Sequence, residues 1–111
     1  MPKRAMELLT ESMFYVLMAL SRAPMCGIDV ADDIERRTGG RVRLGPATLY
    51  TILAKFEKEK YIREIEVEGR KRTYRITNKG LQAYFEEVER LQQCLSDAET
   101  ASESEGGLRD E

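Results

Sequence analysis

The 111-residue chain has no histidine and no tryptophan, only two cysteines and three prolines, and no apolar run longer than eight residues. Each absence removes a class of function. Without histidine, and with Cys26 and Cys94 far apart in sequence, no zinc ligand set can be assembled, so no metal is expected. The commonest general base is missing too, and neither a Gly-rich phosphate loop nor a nucleophile elbow is present, so the chain does not read as an enzyme and calls for no cofactor. Carboxylates are plentiful, but they fall on outward helix faces and near the C-terminus, where a solvated surface is the default. The apolar run at residues 13–20 is too short to cross a bilayer and follows too polar a start for a secretory signal. A cytoplasmic chain away from the membrane, with two reduced structural thiols, is the expectation.

The net charge of −2 argues against a polyanionic partner until it is divided along the chain. Residues 41–80 hold eleven Lys/Arg and five Asp/Glu, a net +6, whereas residues 81–111 hold two and nine, a net −7. Binding to a polyanion depends on the local field, so the basic half decides.

That half centres on residues 45–80, GPATLYTILAKFEKEKYIREIEVEGRKRTYRITNKG. Gly45-Pro46 predicts a helix start, because proline presets φ and lacks only an N–H that the first turn leaves unpaired. Leu49, Ile52, Leu53 and Phe56 recur at spacings of three and four and so share one face. The remaining surface offers Ala47, Thr48, Tyr50, Thr51, Lys55 and Lys58, small, hydroxylated or cationic groups that suit base edges and phosphates. Tyr50 has a second reading, as a core residue bridging to the hairpin next in the chain. Ile65 and Val67, then Tyr74 and Ile76, alternate with polar neighbours, which predicts two strands with one buried face. Glu68-Gly69-Arg70-Lys71 supplies the turn, with Gly69 free to take a positive φ. Arg70, Lys71 and Arg72 gather at its tip, suited to phosphates or a minor groove. A helix leading at once into a basic-tipped hairpin is the core of a winged helix-turn-helix.

Residues 1–5 read as a short, mobile basic lead-in. Thr10 caps a helix to about Arg22, whose Met13, Phe14, Val16, Leu17 and Leu20 cover more than one face and so call for a second partner. A second helix runs from about Gly27 to Thr38, with Val30, Ala31 and Ile34 inward and Asp29, Asp32, Asp33, Glu35 and Arg36 outward. Gly39-Gly40 ends it. Arg41-Val42-Arg43-Leu44 alternates and is expected to join the hairpin as a third strand, with both arginines outward. Thr77 begins a last helix to about Ala98. Its apolar positions Leu81, Tyr84, Val88, Leu91, Leu95 and Ala98 are spaced 3-4-3-4-3, a heptad seam that demands a partner, for which a second copy across a two-fold axis is the preferred candidate. From Ser96 onward the sequence is acidic, small and expected to be disordered.

The segments LTESMFYVLMAL, CGIDVADDIERRTGGRV, LGPATLYTILAKFEKEKYI and RTYRITNKG, in that order over residues 8–95, resemble the PadR-like family of winged helix-turn-helix transcriptional regulators. The single helix after the wing is similar to that of the family's smaller class. The resemblance implies a homodimer joined through the first and last helices, binding double-stranded DNA at a pseudo-palindromic operator, most often as a repressor. Some members respond to small aromatic or drug-like ligands near the dimer interface, so the resemblance leaves room for an unknown small-molecule effector without requiring one. The chain departs from the family's usual residues at Ile28, usually tyrosine, and at Ala47 and Lys60, usually glycine.

The expectation is a mainly α protein with a small antiparallel hairpin (α+β). A winged helix-turn-helix DNA-binding domain covers residues 1–76, a dimerisation helix 77–97 and a disordered acidic tail 98–111. Arg41, Arg43, Ala47, Thr48, Tyr50, Thr51, Lys55, Lys58, Arg70, Lys71 and Arg72 are the expected DNA contacts. Met13, Leu17, Leu81, Tyr84, Val88, Leu91 and Leu95 are the expected dimer contacts. The competing reading is a winged-helix module for protein–protein assembly that has lost DNA binding. Such a module would tend to place apolar or acidic groups on the helix and wing, where this chain places cations.

Overall fold

In the computed structural model, which describes residues 9–104, seven elements succeed one another. They are α1 (Glu11–Arg22), β1 (Met25–Cys26), α2 (Gly27–Arg37), α3 (Pro46–Lys58), β2 (Ile62–Glu68), β3 (Lys71–Ile76) and α4 (Asn78–Ser104). The strands form one antiparallel sheet in the order β1-β3-β2. The expected basic lead-in, and residues 105–111 of the expected tail, lie outside the described residues.

Thr10 caps α1 as its type predicts, its hydroxyl accepting the Met13 N–H at 3.1 Å. Val16, Leu17 and Leu20 of α1 meet Val30 and Ile34 of α2, the Leu49–Leu53–Phe56 stripe of α3, and Ile62 and Tyr74 of the sheet. This one core uses up Met13 and Leu17, which are buried within the protomer and are not on a face that a second copy could touch. The outward side of α1 instead presents Phe14, Tyr15 and Met18, all partly exposed. Asp33, expected outside, is buried as well, with Arg36 and Arg37 reaching it at 3.4 and 3.3 Å.

The expected strand at residues 41–44 does not form. Val42 turns inward and Leu44 is half-buried, but the Val42 N–H donates to the Thr38 hydroxyl instead of to a neighbouring strand. The third strand is Met25–Cys26, paired with Tyr74 and Thr73 on the free edge of β3. In the hairpin, Gly69 has φ +63° at the first central position of the turn. Ile65 and Val67 do not share a buried face. Both are exposed, at 41% and 53%, because the helices cover only the hairpin's base and a bulge at Ile65 breaks the alternation.

The C-terminus of α3 is closed by a Schellman turn. The Tyr61 N–H donates to the Phe56 carbonyl, and the Lys60 N–H to that of Glu57. The associated apolar contact is between the Phe56 and Tyr61 rings, 5.7 Å apart. Such a turn needs one residue in the left-handed region, and Lys60 takes it with φ +67°. The chain then crosses back through Thr77. Its N–H donates to the Tyr61 carbonyl, its hydroxyl donates to the Lys60 carbonyl at 2.7 Å, and its hydroxyl oxygen accepts the Gly80 N–H that opens α4. A Cβ on Gly80 would run into the Tyr61 carbonyl oxygen.

Helix α4 is longer than expected. It continues through residues 98–104, where Ala98, Glu99, Ala101 and Glu103 favour helix and neither glycine nor proline intervenes before Gly106. Its first turns pack on α1, with the Tyr84 and Phe14 rings stacked at 5.5 Å. From Leu91 to Glu103 every residue is exposed. The radius of gyration, 17.0 Å, therefore exceeds the roughly 13 Å of a globule of this size.

The α3–α4 junction generates two stability outcomes. Lys60→Gly removes the left-handed strain and should raise unfolding stability by about 1 kcal/mol. Gly80→Ala should lower it by about 2 kcal/mol through the clash with Tyr61. Denaturant titration of both variants measures the two shifts.

Candidate nucleic-acid interface

The apolar stripe of α3 faces the core, so its opposite side is presented to solvent. Ala47, Thr48, Thr51, Lys55 and Lys58 are all exposed or half-exposed there. The Thr51 hydroxyl donates to the Ala47 carbonyl at 2.9 Å, leaving its oxygen lone pairs and methyl group outward. Tyr50 stands between this face and the wing and is 46% exposed.

The tertiary fold brings Tyr50 together with the wing tip and the start of α2. A hollow of about 360 Å³ is lined by Cys26, Gly27, Ile28, Asp29, Tyr50, Arg70, Lys71 and Arg72. A second, of about 290 Å³, lies between α3 and the wing and is lined by Tyr50, Ala54, Glu57, Arg70, Arg72 and Tyr74. Tyr50 is thus the partition between them. Its ring packs on the bare backbone of Gly27, where a Cβ would stand 2.6 Å from the phenol oxygen and 2.9 Å from Cζ. The bridging reading of Tyr50 therefore holds in part, since the residue links α3 to α2 and the wing while staying half open to solvent. Burial, and then Glu57, push the nearby Tyr74 phenol above its ordinary value, so it stays neutral.

The expected cations divide by partner. Arg41 is drawn to the start of α1, where it meets Glu11 at 2.7 Å and the Tyr15 hydroxyl at 3.1 Å, an arrangement that raises its pKa. Arg43 leans on Glu35 at 3.6 Å, and Arg72 pairs with Glu64 across the hairpin at 3.1 Å. Among the described residues, Lys55, Lys58, Arg70 and Lys71 have no carboxylate within 4.0 Å. Of the expected DNA-contacting cations, those four are open to an anionic ligand. Helix α2 adds its first residues, Gly27, Ile28 and Asp29, to the lining of the hollow, and its N-cap Cys26 makes no side-chain cap bond. Sequence reasoning missed Gly27 and Ile28 here. The helix start after Cys26 was legible, but its position opposite the wing was not.

Among the described residues no group of three or more His, Cys, Asp or Glu could hold a metal ion. No described helix is long and apolar enough to cross a membrane.

The model of the transcriptional regulator PadR-like family matches residues 16–86. An uncharacterized 37.1 kDa protein in transposon TN4556 of Streptomyces fradiae is 36% identical over 70 residues. That match takes in 63% of this chain but only 20% of the relative's length. Among solved structures, a transcriptional regulator from Clostridium thermocellum is similar with a TM-score of 0.71 and 26% identity, over 79% of this chain and 89% of that one. RosR of H. salinarum (TM-score 0.65, 20% identity, 84% and 96% of the two chains) shares the fold. So does Bacillus subtilis PadR, solved in complex with operator DNA (TM-score 0.63, 19% identity, 71% and 47%).

The contact between Gly27 and Tyr50 is open to a double-mutant cycle on unfolding stability. Gly27→Ala should cost about 1–3 kcal/mol in the wild-type background and much less once Tyr50 is alanine. Equal costs in the two backgrounds would mean that the ring is not what excludes a side chain at position 27.

Proposed function

The chain belongs to the PadR-like family of transcriptional regulators, a DNA-binding class, and on that premise we propose that it is a cytoplasmic homodimeric repressor of a pseudo-palindromic operator. In this reading α3 enters the major groove, where Thr48, Thr51 and Lys55 meet base edges and Lys58 meets a phosphate. Arg70 and Lys71 at the wing tip, with Arg72 behind them, take backbone phosphates or the adjacent minor groove. The observation that supports this most is the set of exposed cations without an ion-pair partner among the described residues, Lys55 and Lys58 on the outward side of α3 and Arg70 and Lys71 at the wing tip. Arg41 and Arg43 are held by carboxylates and contribute field rather than direct contacts.

The second copy is proposed to cover the apolar side of α4. Tyr84 is half-buried and Val88 partly so against the protomer, while Phe85, Leu91 and Leu95 are exposed along a helix of 27 residues, about 40 Å long. An exposed apolar stripe of that length is costly in water and suits a symmetric partner.

Two experiments test these roles. Affinities for a DNA site selected from a random pool, and for random duplex, are compared across a salt series. Arg70→Ala with Lys71→Ala should weaken both alike and make the salt slope shallower by about 1.8, near 0.9 for each phosphate no longer neutralised. Thr51→Ala or Lys55→Ala should instead cost preference for the selected site, by about 1–3 kcal/mol for a good base contact. A wing variant that loses only selected-site binding, with its slope intact, reverses the assignment. For assembly, Leu95→Asp alters a residue that is 61% exposed in the protomer, so the fold should survive. Sedimentation should show its dimer dissociating at concentrations at least about tenfold above wild type, as an unpaired charge in an apolar seam requires. A monomeric wild type would remove the dimer from the proposal.

A further inference from the structure

We infer that the outward face at the base of the wing, centred on Arg63 and Arg75, is a second backbone-phosphate site for duplex that continues past the stretch touched by α3. The inference rests on the DNA-binding reading above. Arg63 and Arg75 are direct partners in the β2–β3 ladder, between the pairs Ile62–Ile76 and Glu64–Tyr74. Ile62 and Tyr74 are buried toward the helices, so alternation turns both arginines to the opposite face, where both are exposed.

Two like charges directly opposite one another, with Cβ atoms roughly 5 Å apart, destabilise a sheet. Among the described residues no carboxylate forms an ion pair with either member, whereas Arg36, Arg37, Arg41, Arg43, Arg72 and Arg90 each have a carboxylate within 4.0 Å. Glu64 points inward and is engaged by Arg72. The bulge at Ile65 sets Glu66 opposite Thr73, in the next pair along the same outward face, yet Glu66 makes no ion pair within 4.0 Å with either arginine. Lys79, whose ammonium stands 5.6 Å from the centroid of the Tyr61 ring, adds a cation at the same end of the sheet. The paired arginines suit an anion that spans both of them. DNA presents such a line of charge, one per roughly 1.7 Å of axis, and a duplex lying on α3 and gripped at the wing tip extends beyond the hairpin.

The test uses the full-length protein and its Arg63→Gln, Arg75→Gln double variant. Anisotropy titrations from 50 to 200 mM salt compare a short duplex holding only the selected site with one carrying long random flanks. On the long duplex the variant's slope should be shallower by about 1.8, so that the wild type's advantage shrinks about tenfold across the series. On the short duplex the two proteins should agree within about twofold. The variant's melting temperature should equal or exceed that of wild type, because a repulsion has been removed; a lower one overturns the like-charge argument. Equal slopes on the long duplex, or equal losses on both duplexes, overturn the inference. So does a variant that self-associates more weakly without DNA, which would assign the patch to the acidic end of another copy's α4. A wild type that binds neither duplex would sink the DNA-binding reading itself, a different result from any of these.

Discussion

The knot of hydrogen bonds at Thr77 holds the working parts of this protein in register. One residue donates its N–H to the Tyr61 carbonyl and its hydroxyl to the Lys60 carbonyl, and accepts the Gly80 N–H. Each such bond contributes about 1 kcal/mol net, so together they are a large part of a small domain's stability. Their geometric effect is greater. They join the end of α3, the base of the wing and the start of α4 into one body, and Gly80 permits it because any side chain there would strike the Tyr61 carbonyl. In the proposed dimer, the spacing between the two α3 helices is then set by where α4 meets its partner, with no soft joint between.

The placement of charge is more selective than composition suggests. Carboxylates on α1, α2 and β2 engage Arg41, Arg43 and Arg72, while Lys55, Lys58, Arg70 and Lys71 have none within ion-pair distance among the described residues. Exposed pairs of this kind add little stability, about 0–1 kcal/mol. Their consequence is to leave the cations of α3 and the wing tip as the ones among the expected contacts that can meet an anionic ligand without first breaking an ion pair. A net charge of −2 conceals this because the last thirty-one residues, 81–111, carry a net −7 of their own.

Tyr50 and Gly27 show how a core-type contact can serve a surface site. The ring needs a wall, and the bare backbone of Gly27 is that wall. The start of α2 and the wing are thereby kept on opposite sides of one aromatic partition. The residue after this glycine, Ile28, is 67% exposed, so the hollow has an aliphatic lip.

Local pattern alone determined much of this protein. The spacing of Leu49, Ile52, Leu53 and Phe56, the Thr10 cap, Pro46 at a helix start and Gly69 in a tight turn are short-range constraints, satisfied within a few residues of where they are written. So is the separation of basic and acidic halves. Other features needed the packed fold. Met13 and Leu17 carry the same apolar signal whether they face a core or a partner, and only the meeting of α1 with α2 and α3 sends them inward. The segment 41–44 alternates as a strand would, yet the edge of β3 goes to Met25 and Cys26, because an edge has room for one neighbour. Ile65 and Val67 alternate as a buried face would, but the hairpin outruns the helices that could cover it. The acidic stretch after Ser96 lacks apolar groups and reads as disordered, whereas a helix already nucleated upstream propagates cheaply into Ala98–Glu99–Thr100–Ala101. Periodicity records which residues avoid water; which surface receives them depends on elements distant in sequence.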